Sequence, residues 1–272
     1  VITMLLFLGI ITLVVFVHEF GHYVVAKATG IPVKTFSIGF GPKLLGFNAF
    51  GTNWRISLIP LGGYVRLEGD DDYENKAQNP RSFWGCHPWR RIAIALAGPA
   101  INLALPLALF FGYYWGQRVE VEHETSRGVM VKVHEVDAAI AWKASKAMTA
   151  DMYIAIGRAV KHIQKQGMKK EDLGGPVAIH DETQKAAKRS KEQNDWGFLI
   201  QWIAFFSINL GIMNLLPIPL LDGGHVTLSS YEWVTGKNIS LSARSRLHFA
   251  GLLFVCALMA FAIYSDIVRL WG

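Results

Sequence analysis

Four long apolar stretches alternate with polar segments along the chain. A helix needs about 20 consecutive, mostly apolar residues to cross a bilayer core. The pattern therefore predicts four transmembrane helices, at residues 1–28, Ile92–Trp115, Trp196–Leu216 and Leu247–Val268. The first stretch lacks the basic start and the small-residue cleavage site of a signal peptide, so a retained helix is the favoured interpretation.

Between the first two apolar stretches lies a segment with a different pattern. Residues Phe36–Gly69 carry glycines at short intervals, and β-forming residues alternate with polar ones around Trp54–Leu58. This pattern indicates a small antiparallel sheet of hairpins. The segment is too polar to span a bilayer and too apolar to stand in water, so we expect a re-entrant sheet buried among helices. The run Asp70–Pro80 reads as a solvated acidic loop.

The polar segment 116–195 contains two recognisable patterns. Residues Arg127–Val136 predict one strand. Residues Lys143–Gln166 place apolar side chains at helical spacing, which predicts an amphipathic helix on the membrane surface or on the protein.

The predicted fold class is a polytopic α-helical membrane protein. It has four transmembrane helices, a membrane-re-entrant antiparallel β-sheet between the first and the second, and an amphipathic helix in the extracytoplasmic segment. The predicted divisions are 1–30 for the first helix, 31–90 for the sheet and a cytoplasmic loop, 91–116 for the second helix, 117–195 for the extracytoplasmic segment, 196–217 for the third helix, 218–245 for a loop and cytoplasmic connection, and 246–272 for the fourth helix.

Composition agrees with this class and narrows the partners. Half of the residues, 51%, are hydrophobic, which is unusual for a soluble enzyme. The net charge of +6 is spread over loops, and Arg90, Arg91, Arg244 and Arg246 directly precede spans. That distribution follows the positive-inside rule and does not indicate nucleic acid, so loops 30–90 and 217–245 are predicted to face the cytoplasm and both chain ends the outside. Two cysteines do not make a disulfide framework.

The first span ends in the motif His18-Glu19-Phe20-Gly21-His22. On a helix, His18 and His22 share one face and can bind one Zn²⁺, while Glu19 is suited to accept a proton from water. A polar cluster packed in a helix bundle is the alternative. Ionisable groups are costly within a membrane span, which favours a functional site.

A catalytic zinc usually has a third protein ligand. Asp222, in the stretch NLLPIPLLDGGH, follows a span that Pro217 and Pro219 end, and a carboxylate at membrane depth suits a metal. His225 is the rival ligand. Asn209 and Asn214 in the third span either bond neighbouring helices or contact an unfolded substrate backbone.

The stretch AGPAIN, residues 97–102 of the second span, indicates a tight packing site with a proline kink. HEFGH in a first span, AGPAIN in a second and SINLGIMNLLPIPLLDGGH after a third together resemble the site-2 protease family of intramembrane zinc metalloproteases, and within it the bacterial RseP-type regulators of sigma-E.

This resemblance implies roles for particular residues. His18, His22 and Asp222 correspond to the family's zinc ligands, and Glu19 to its catalytic residue. Asn209 and Asn214 correspond to asparagines that handle substrate. The stretch 36–67 corresponds to a sheet whose edge strand pairs with substrate, and we assign that contact to five residues, namely Arg55, Ile56, Ser57, Leu58 and Ile59. The two PDZ domains common in the RseP type are largely missing, because only Gly116–Ile140 stands where they belong.

The implied activity is zinc-dependent cleavage of transmembrane segments of single-pass membrane proteins. Such substrates include a membrane-bound anti-sigma factor after a first cut and remnant signal peptides. The implied location is the bacterial inner membrane, with the active site toward the cytoplasm and with hydroxamate compounds expected to bind the zinc. The alternatives are a membrane-anchored zinc protease of another class and a metal transporter.

Overall fold

The computed structural model describes residues 2–70, 79–125, 128–166 and 175–271. The elements follow in the order α1 (Ile2–Ala28), β1 (Val33–Ala49), β2 (Thr52–Leu67), α2 (Pro88–Tyr114), β3 (Arg118–Thr125), β4 (Gly128–Glu135), α3 (Ala138–Gln166), α4 (Pro176–Glu192), α5 (Gly197–Leu215), α6 (Asp222–Thr235) and α7 (Leu241–Trp271).

Helices α1, α2, α5 and α7 confirm the four predicted spans. Within the described ranges they contain Thr3–Ala28, Pro88–Tyr114, Gly197–Leu215 and Leu241–Val268, each long and apolar enough to cross a membrane. Helix α2 begins at Pro88, before the predicted Ile92, because the His87 side chain accepts a hydrogen bond from the Trp89 N–H and proline suits the first helical position. It packs against α1, α3, α5 and α6, so it is the centre of the helical part.

The sheet between α1 and α2 is built from two long, sharply bent strands. Residues Thr35–Ile38 of β1 pair with both Asn53–Ile56 and Gly63–Arg66 of β2. Residue numbers rise together in the first pairing and in opposite directions in the second, so the first pair is parallel and the second antiparallel. The outer half of β1, Gly46–Ala49, pairs with Thr52–Arg55 on the other side. The order across the sheet is therefore 46–49, 52–56, 35–38, 63–66.

The inner face of this sheet packs lengthwise against α1. Phe36 contacts Phe16 at 5.6 Å and Tyr23 at 5.9 Å between ring centroids, and it belongs to the main buried apolar cluster. Lys27 donates to the Phe50 carbonyl at 2.7 Å near the end of α1, whereas Thr12 donates to the Pro60 carbonyl at 3.3 Å near its middle. At 1.5 Å per residue, the sheet accompanies α1 over about 22 Å.

The predicted loop 218–245 is wrong over most of its length, because it contains helix α6. This helix begins at Asp222 and ends at Thr235, and it is capped by Gly236, whose φ of 67° is the left-handed conformation that glycine adopts at helix ends. Alternation of polar and apolar residues in a 14-residue helix gives a weak pattern, which explains the omission.

A buried ion cluster fixes α6 to two of the spans. Glu232 of α6 accepts from Arg91 of α2 at 2.7 Å and from Arg244 of α7 at 3.1 Å, and all three residues are 4% exposed. Arg244 also lies over the Trp84 ring at 4.2 Å. Burial alone would raise the pKa of Glu232, but the Ile239 N–H and the two guanidinium groups hold that pKa below its usual value. The carboxylate therefore stays ionised and the cluster stays paired.

The segment between α2 and α5 is more structured than its sequence indicated. The predicted single strand is half of a hairpin, in which β3 pairs antiparallel with β4, and the predicted residue Arg127 lies outside the described residues. Helix α3 begins at Ala138, before the predicted Lys143. It lies against α2, where the ring centroids of Trp142 and Phe111 are 6.3 Å apart. Asp266 of α7 accepts from the Gly175 and Val177 N–H groups at 3.1 and 2.9 Å and so binds the start of α4.

Candidate metal centre

Two histidines of α1 and one carboxylate of α6 meet at one point of the fold. Helical spacing brings His18 and His22 to one face, and both are almost buried, at 6% and 9% exposure. Asp222 opens α6 directly after the proline-broken end of α5. A Cβ on Gly223 would lie 2.2 Å from the Leu216 carbonyl oxygen, so glycine is required for α6 to fold back this closely.

The three donor atoms are spaced as the ligands of one small metal ion. His18 Nε2 lies 3.0 Å from Asp222 Oδ2 and 3.2 Å from His22 Nε2, and His22 Nε2 lies 3.4 Å from Asp222 Oδ2. Tetrahedral zinc with bonds of about 2.0–2.1 Å has ligands about 3.3 Å apart. Within the described ranges this is the group of histidine, cysteine and acidic residues that could hold a metal ion.

Space for an ion is left by Gly98 of α2. A Cβ at this position would lie 2.3 Å from His22 Nε2 and 2.8 Å from His18 Nε2. These separations are far shorter than ordinary van der Waals contacts, so any larger residue would press on both rings and fill the space beside their Nε2 atoms. The donor set and this space fit a zinc ion.

Hydrogen bonds from α2 orient both imidazole rings. His22 Nδ1 lies 2.7 Å from the Ile94 carbonyl oxygen, so Nδ1 carries the proton and Nε2 has the lone pair. His18 Nδ1 lies 3.2 Å from Nδ2 of Asn102. Asn102 is not among the residues predicted for the site, although its motif AGPAIN is predicted to be a packing element.

The predicted base and the rival ligand have separate places. Glu19 lies beside the donor set, where its carboxylate accepts from the Val65 N–H of the sheet. His225 lines the same cavity but is outside the ligand group, and it packs between Trp84 at 6.1 Å and His248 at 5.6 Å. Burial and then the neighbouring His248 lower the pKa of His225 to about 4, which keeps it neutral at physiological pH. The geometry therefore favours Asp222 as the third ligand.

Asp222 itself is held as a carboxylate. Burial would raise the pKa of Asp222, but the neighbouring His18 and His22 outweigh burial and lower it far below the usual value. An ionised carboxylate beside two imidazole groups supplies one negative charge to the set, which suits a divalent cation.

The donor set opens into a cavity of about 490 Å³. One wall is the strand segment Gly62–Val65, another is Asn214 of α5, and the metal-facing residues form the floor. Among the described residues, Gly63–Leu67 is paired with β1 on one side only, so its other edge faces α1 and this cavity.

The predicted substrate residues divide into those at the cavity and those away from it. Asn214 lines it, whereas Asn209 donates to the Phe205 carbonyl of its own helix at 2.8 Å and is absent from the lining. The segment Arg55–Ile59 is also absent from the lining, and its residues up to Ile56 are flanked by strand partners on both sides. A bent β1 that pairs twice is the reason, and alternation in the sequence does not reveal it.

Comparison with known proteins identifies the family. The model of peptidase family M50 matches residues 6–258. A protein of Brucella suis, named as a candidate zinc metalloprotease, is 30% identical over an alignment of 364 positions that covers 97% of this chain and 95% of that protein. A likewise named protein of Mesorhizobium japonicum is 29% identical, with 97% and 98% covered, and one of Campylobacter jejuni is 29% identical, with 97% and 92% covered.

The first alignment is longer than this chain, because 97% of 272 residues is about 264, and about 100 of its 364 positions therefore have no counterpart here. The relatives thus carry additional sequence of the size of a small domain. The family match nevertheless includes all three members of the ligand set, the second and third spans in full, most of the first span and part of the fourth. The chain belongs to peptidase family M50, the site-2 protease type, and is a multi-pass membrane metallopeptidase that depends on zinc.

Proposed function

We propose that this protein is an intramembrane endopeptidase that cleaves transmembrane segments of single-pass membrane proteins. The observation that carries the proposal is the position of the donor set. Two of its three members belong to α1, an apolar helix that can cross a membrane, and the adjoining cavity is bordered by an open strand edge. A peptidase built in this way suits a bond that lies within a bilayer.

In this proposal, His18, His22 and Asp222 hold the zinc and Glu19 is the general base. Zinc supplies Lewis acidity, which makes water a nucleophile near neutral pH. Glu19 accepts the proton of the attacking water and delivers it to the leaving amide nitrogen. The Val65 N–H orients the Glu19 carboxylate for this transfer. Asn214, which also lines the cavity, offers an amide to the substrate backbone.

Aromatic residues support a depth for the site. Trp89 and Trp115 lie near the two ends of α2 and are 43% and 61% exposed, as is typical of membrane interfaces. They are separated by 26 residues, or about 39 Å, which matches a bilayer with its interfaces. Ile94, whose carbonyl bonds His22, is five residues from Trp89, so the site lies about 8 Å below that interface.

The charges near that interface support an orientation. Lys27 of α1, Arg90 of α2 and Arg246 of α7 all lie at the ends of spans near the metal centre. By the positive-inside rule this side is the cytoplasm. The protein is therefore proposed to act in a bacterial inner membrane with its active site toward the cytoplasm.

The open strand edge is the proposed substrate contact. An extended chain can add to the edge that begins at Gly63 through main-chain groups other than the Val65 and Leu67 N–H groups, which bond Glu19 and Asp70. Such main-chain pairing is largely independent of sequence. This edge replaces Arg55–Ile59 as the pairing segment. In the outer half of β1, Leu45 and Phe47 are 68% and 64% exposed. Contact of these side chains with lipid would hold the sheet at membrane depth, as a re-entrant sheet requires.

A helical substrate hides its carbonyl groups and must unwind before it reaches zinc. Pairing with a strand edge stabilises the unwound form, which explains why a sheet borders the cavity. Single-pass proteins already shortened by a first cut, such as a membrane-bound anti-sigma factor, and remnant signal peptides are the substrates of this type. Cleavage of such proteins is regulated intramembrane proteolysis.

Purified protein in detergent and a reporter with one transmembrane segment provide the test. Wild-type protein should cut the reporter within its apolar segment, a chelator should stop cleavage, and added zinc should restore it. Glu19→Gln should keep zinc and lose about 10²–10⁴ in rate. Cleavage only outside the apolar segment, or undiminished cleavage by Glu19→Gln, would refute the proposal.

A further inference from the structure

Asn102 is a fully buried polar residue in the middle of α2, and its side chain meets His18. We infer that Asn102 is a positioning residue, which holds the His18 ring through Nδ1 so that Nε2 faces the metal. The inference rests on the proposed function in one respect only, namely that His18 is a zinc ligand.

The chemistry of imidazole sets the requirement. A neutral histidine that binds zinc through Nε2 carries its proton on Nδ1, and that N–H needs an acceptor when it is buried. His22 has the Ile94 carbonyl oxygen at 2.7 Å for this purpose. For His18, the group at Nδ1 is the amide of Asn102, with Nδ2 at 3.2 Å.

The amide can supply the acceptor by a half-turn. As placed, Oδ1 of Asn102 is buried and has no hydrogen-bond partner within the described part of the chain. Rotation by 180° about the Cβ–Cγ bond exchanges the amide nitrogen and oxygen, and the two orientations occupy the same volume. With Oδ1 toward His18, the Nδ1–H donates to it, and the amide nitrogen takes the place in which the oxygen had no partner.

The surrounding helix holds Asn102 in register with the metal. Ser207 of α5 donates to the Asn102 main-chain carbonyl at 2.9 Å, which fixes the backbone without using the amide. Gly98 lies one helical turn earlier, on the same face, beside the Nε2 atoms of both histidines. The AGPAIN stretch therefore provides the space for the ion and an orienting group for one ligand.

The competing explanation is that Asn102 only joins α1 to α2. A helix-joining amide would stabilise the protein equally with and without zinc, whereas an orienting group would act on zinc affinity. Loss of a hydrogen bond to a ligating histidine typically costs 10–100-fold in metal affinity.

The experiment compares zinc affinity in four full-length variants, by competition with a fluorescent chelator. Asn102→Leu keeps the size but has no acceptor, and we expect a 10–100-fold weaker Kd. Asn102→Asp restores an acceptor and should bind zinc at least as tightly as the wild type. Ser145→Ala is the control, because it removes a buried hydroxyl of α3 that donates to the Trp142 carbonyl at 3.0 Å, away from the donor set, and it should leave the Kd within about threefold. His18→Ala should lose zinc.

Zinc affinities, together with melting temperatures measured with zinc and with the chelator in excess, separate the two explanations. If Asn102→Leu binds zinc as the wild type does while His18→Ala does not, the inference fails and the ligand assignment stands. If both bind zinc normally, the ligand assignment itself fails. An equal fall in melting temperature for Asn102→Leu with and without zinc would show a helix-joining role and overturn the inference.

Discussion

Replacement of Gly98 by alanine tests whether the space between the donor atoms is the metal site. The added Cβ would lie 2.3 Å from His22 Nε2 and 2.8 Å from His18 Nε2. Ordinary contacts between such atoms are about 3.4–4 Å, so at least one ring must move by more than about 1 Å. A ring displaced by that distance no longer fits tetrahedral bonds of about 2.0–2.1 Å.

The expected result is a protein that folds but does not retain zinc. Displacement of about 1 Å in a catalytic centre costs on the order of 10² in rate. We therefore expect Gly98→Ala to lose stoichiometric zinc and to lower kcat/KM by at least about 10²-fold. Alanine favours a helix over glycine by about 1 kcal/mol, so the backbone of α2 itself is not weakened.

The assay measures zinc per protein after gel filtration, together with reporter cleavage. Gly112→Ala is the matched control, because Gly112 lies in the same helix and an added Cβ there meets nothing within 4 Å. That variant should keep full zinc and activity. Full zinc content and wild-type kinetics in Gly98→Ala would refute the geometric reasoning and move the metal to another place.

Three further predictions follow from the same geometry. Asp222→Ala should lose zinc and cleavage, whereas His225→Ala should keep zinc; metal analysis that finds the reverse would make His225 the ligand. Glu232→Gln removes the carboxylate that pairs with two buried guanidinium groups, which should lower the free energy of unfolding by about 3–5 kcal/mol and the melting temperature by roughly 10 °C. The control Glu182→Gln breaks an exposed ion pair and should change the melting temperature by less than about 2 °C. Val65→Pro removes the N–H that donates to Glu19 and should reduce cleavage about 10²-fold with zinc retained, whereas Val65→Ala keeps this N–H and should keep its activity. Equal activity of the two variants would show that the strand does not orient Glu19.

The agreement between sequence and structure is greatest for the helices that carry long apolar runs. Such a run has one stable arrangement in a bilayer, because its main-chain polar groups must bond within the segment. The four spans and the helical spacing of His18 and His22 were therefore readable without tertiary information. Helix α6 was missed because it is short and partly polar, and its stability comes from Glu232 and from close packing of Gly223 and Gly224.

The sheet shows the limit of local patterns. Alternation correctly indicated strands between α1 and α2, but it does not specify neighbours. The segment Asn53–Ile56 alternates as an edge strand would, yet it lies between Thr35–Ile38 and the outer half of β1. The edge that faces the cavity is Gly63–Leu67, and this depends on where β1 bends and pairs a second time.

The amino-acid sequence alone predicts the spans, the pair of histidines, a candidate general base and a short set of candidates for the third ligand. These depend on spacing along one helix and on the cost of charge in an apolar segment. The tertiary structure favours Asp222 over His225. Both residues are more than 200 positions from His18 in the chain, so only the packing of α6 on α2 shows which of them comes close to it. The tertiary structure also brings Gly98 and Asn102 to the metal centre. Gly98 matters because it has no Cβ, and Asn102 matters because it forms a hydrogen bond to another helix. Both features can be recognised only when the position of the neighbouring helix is known.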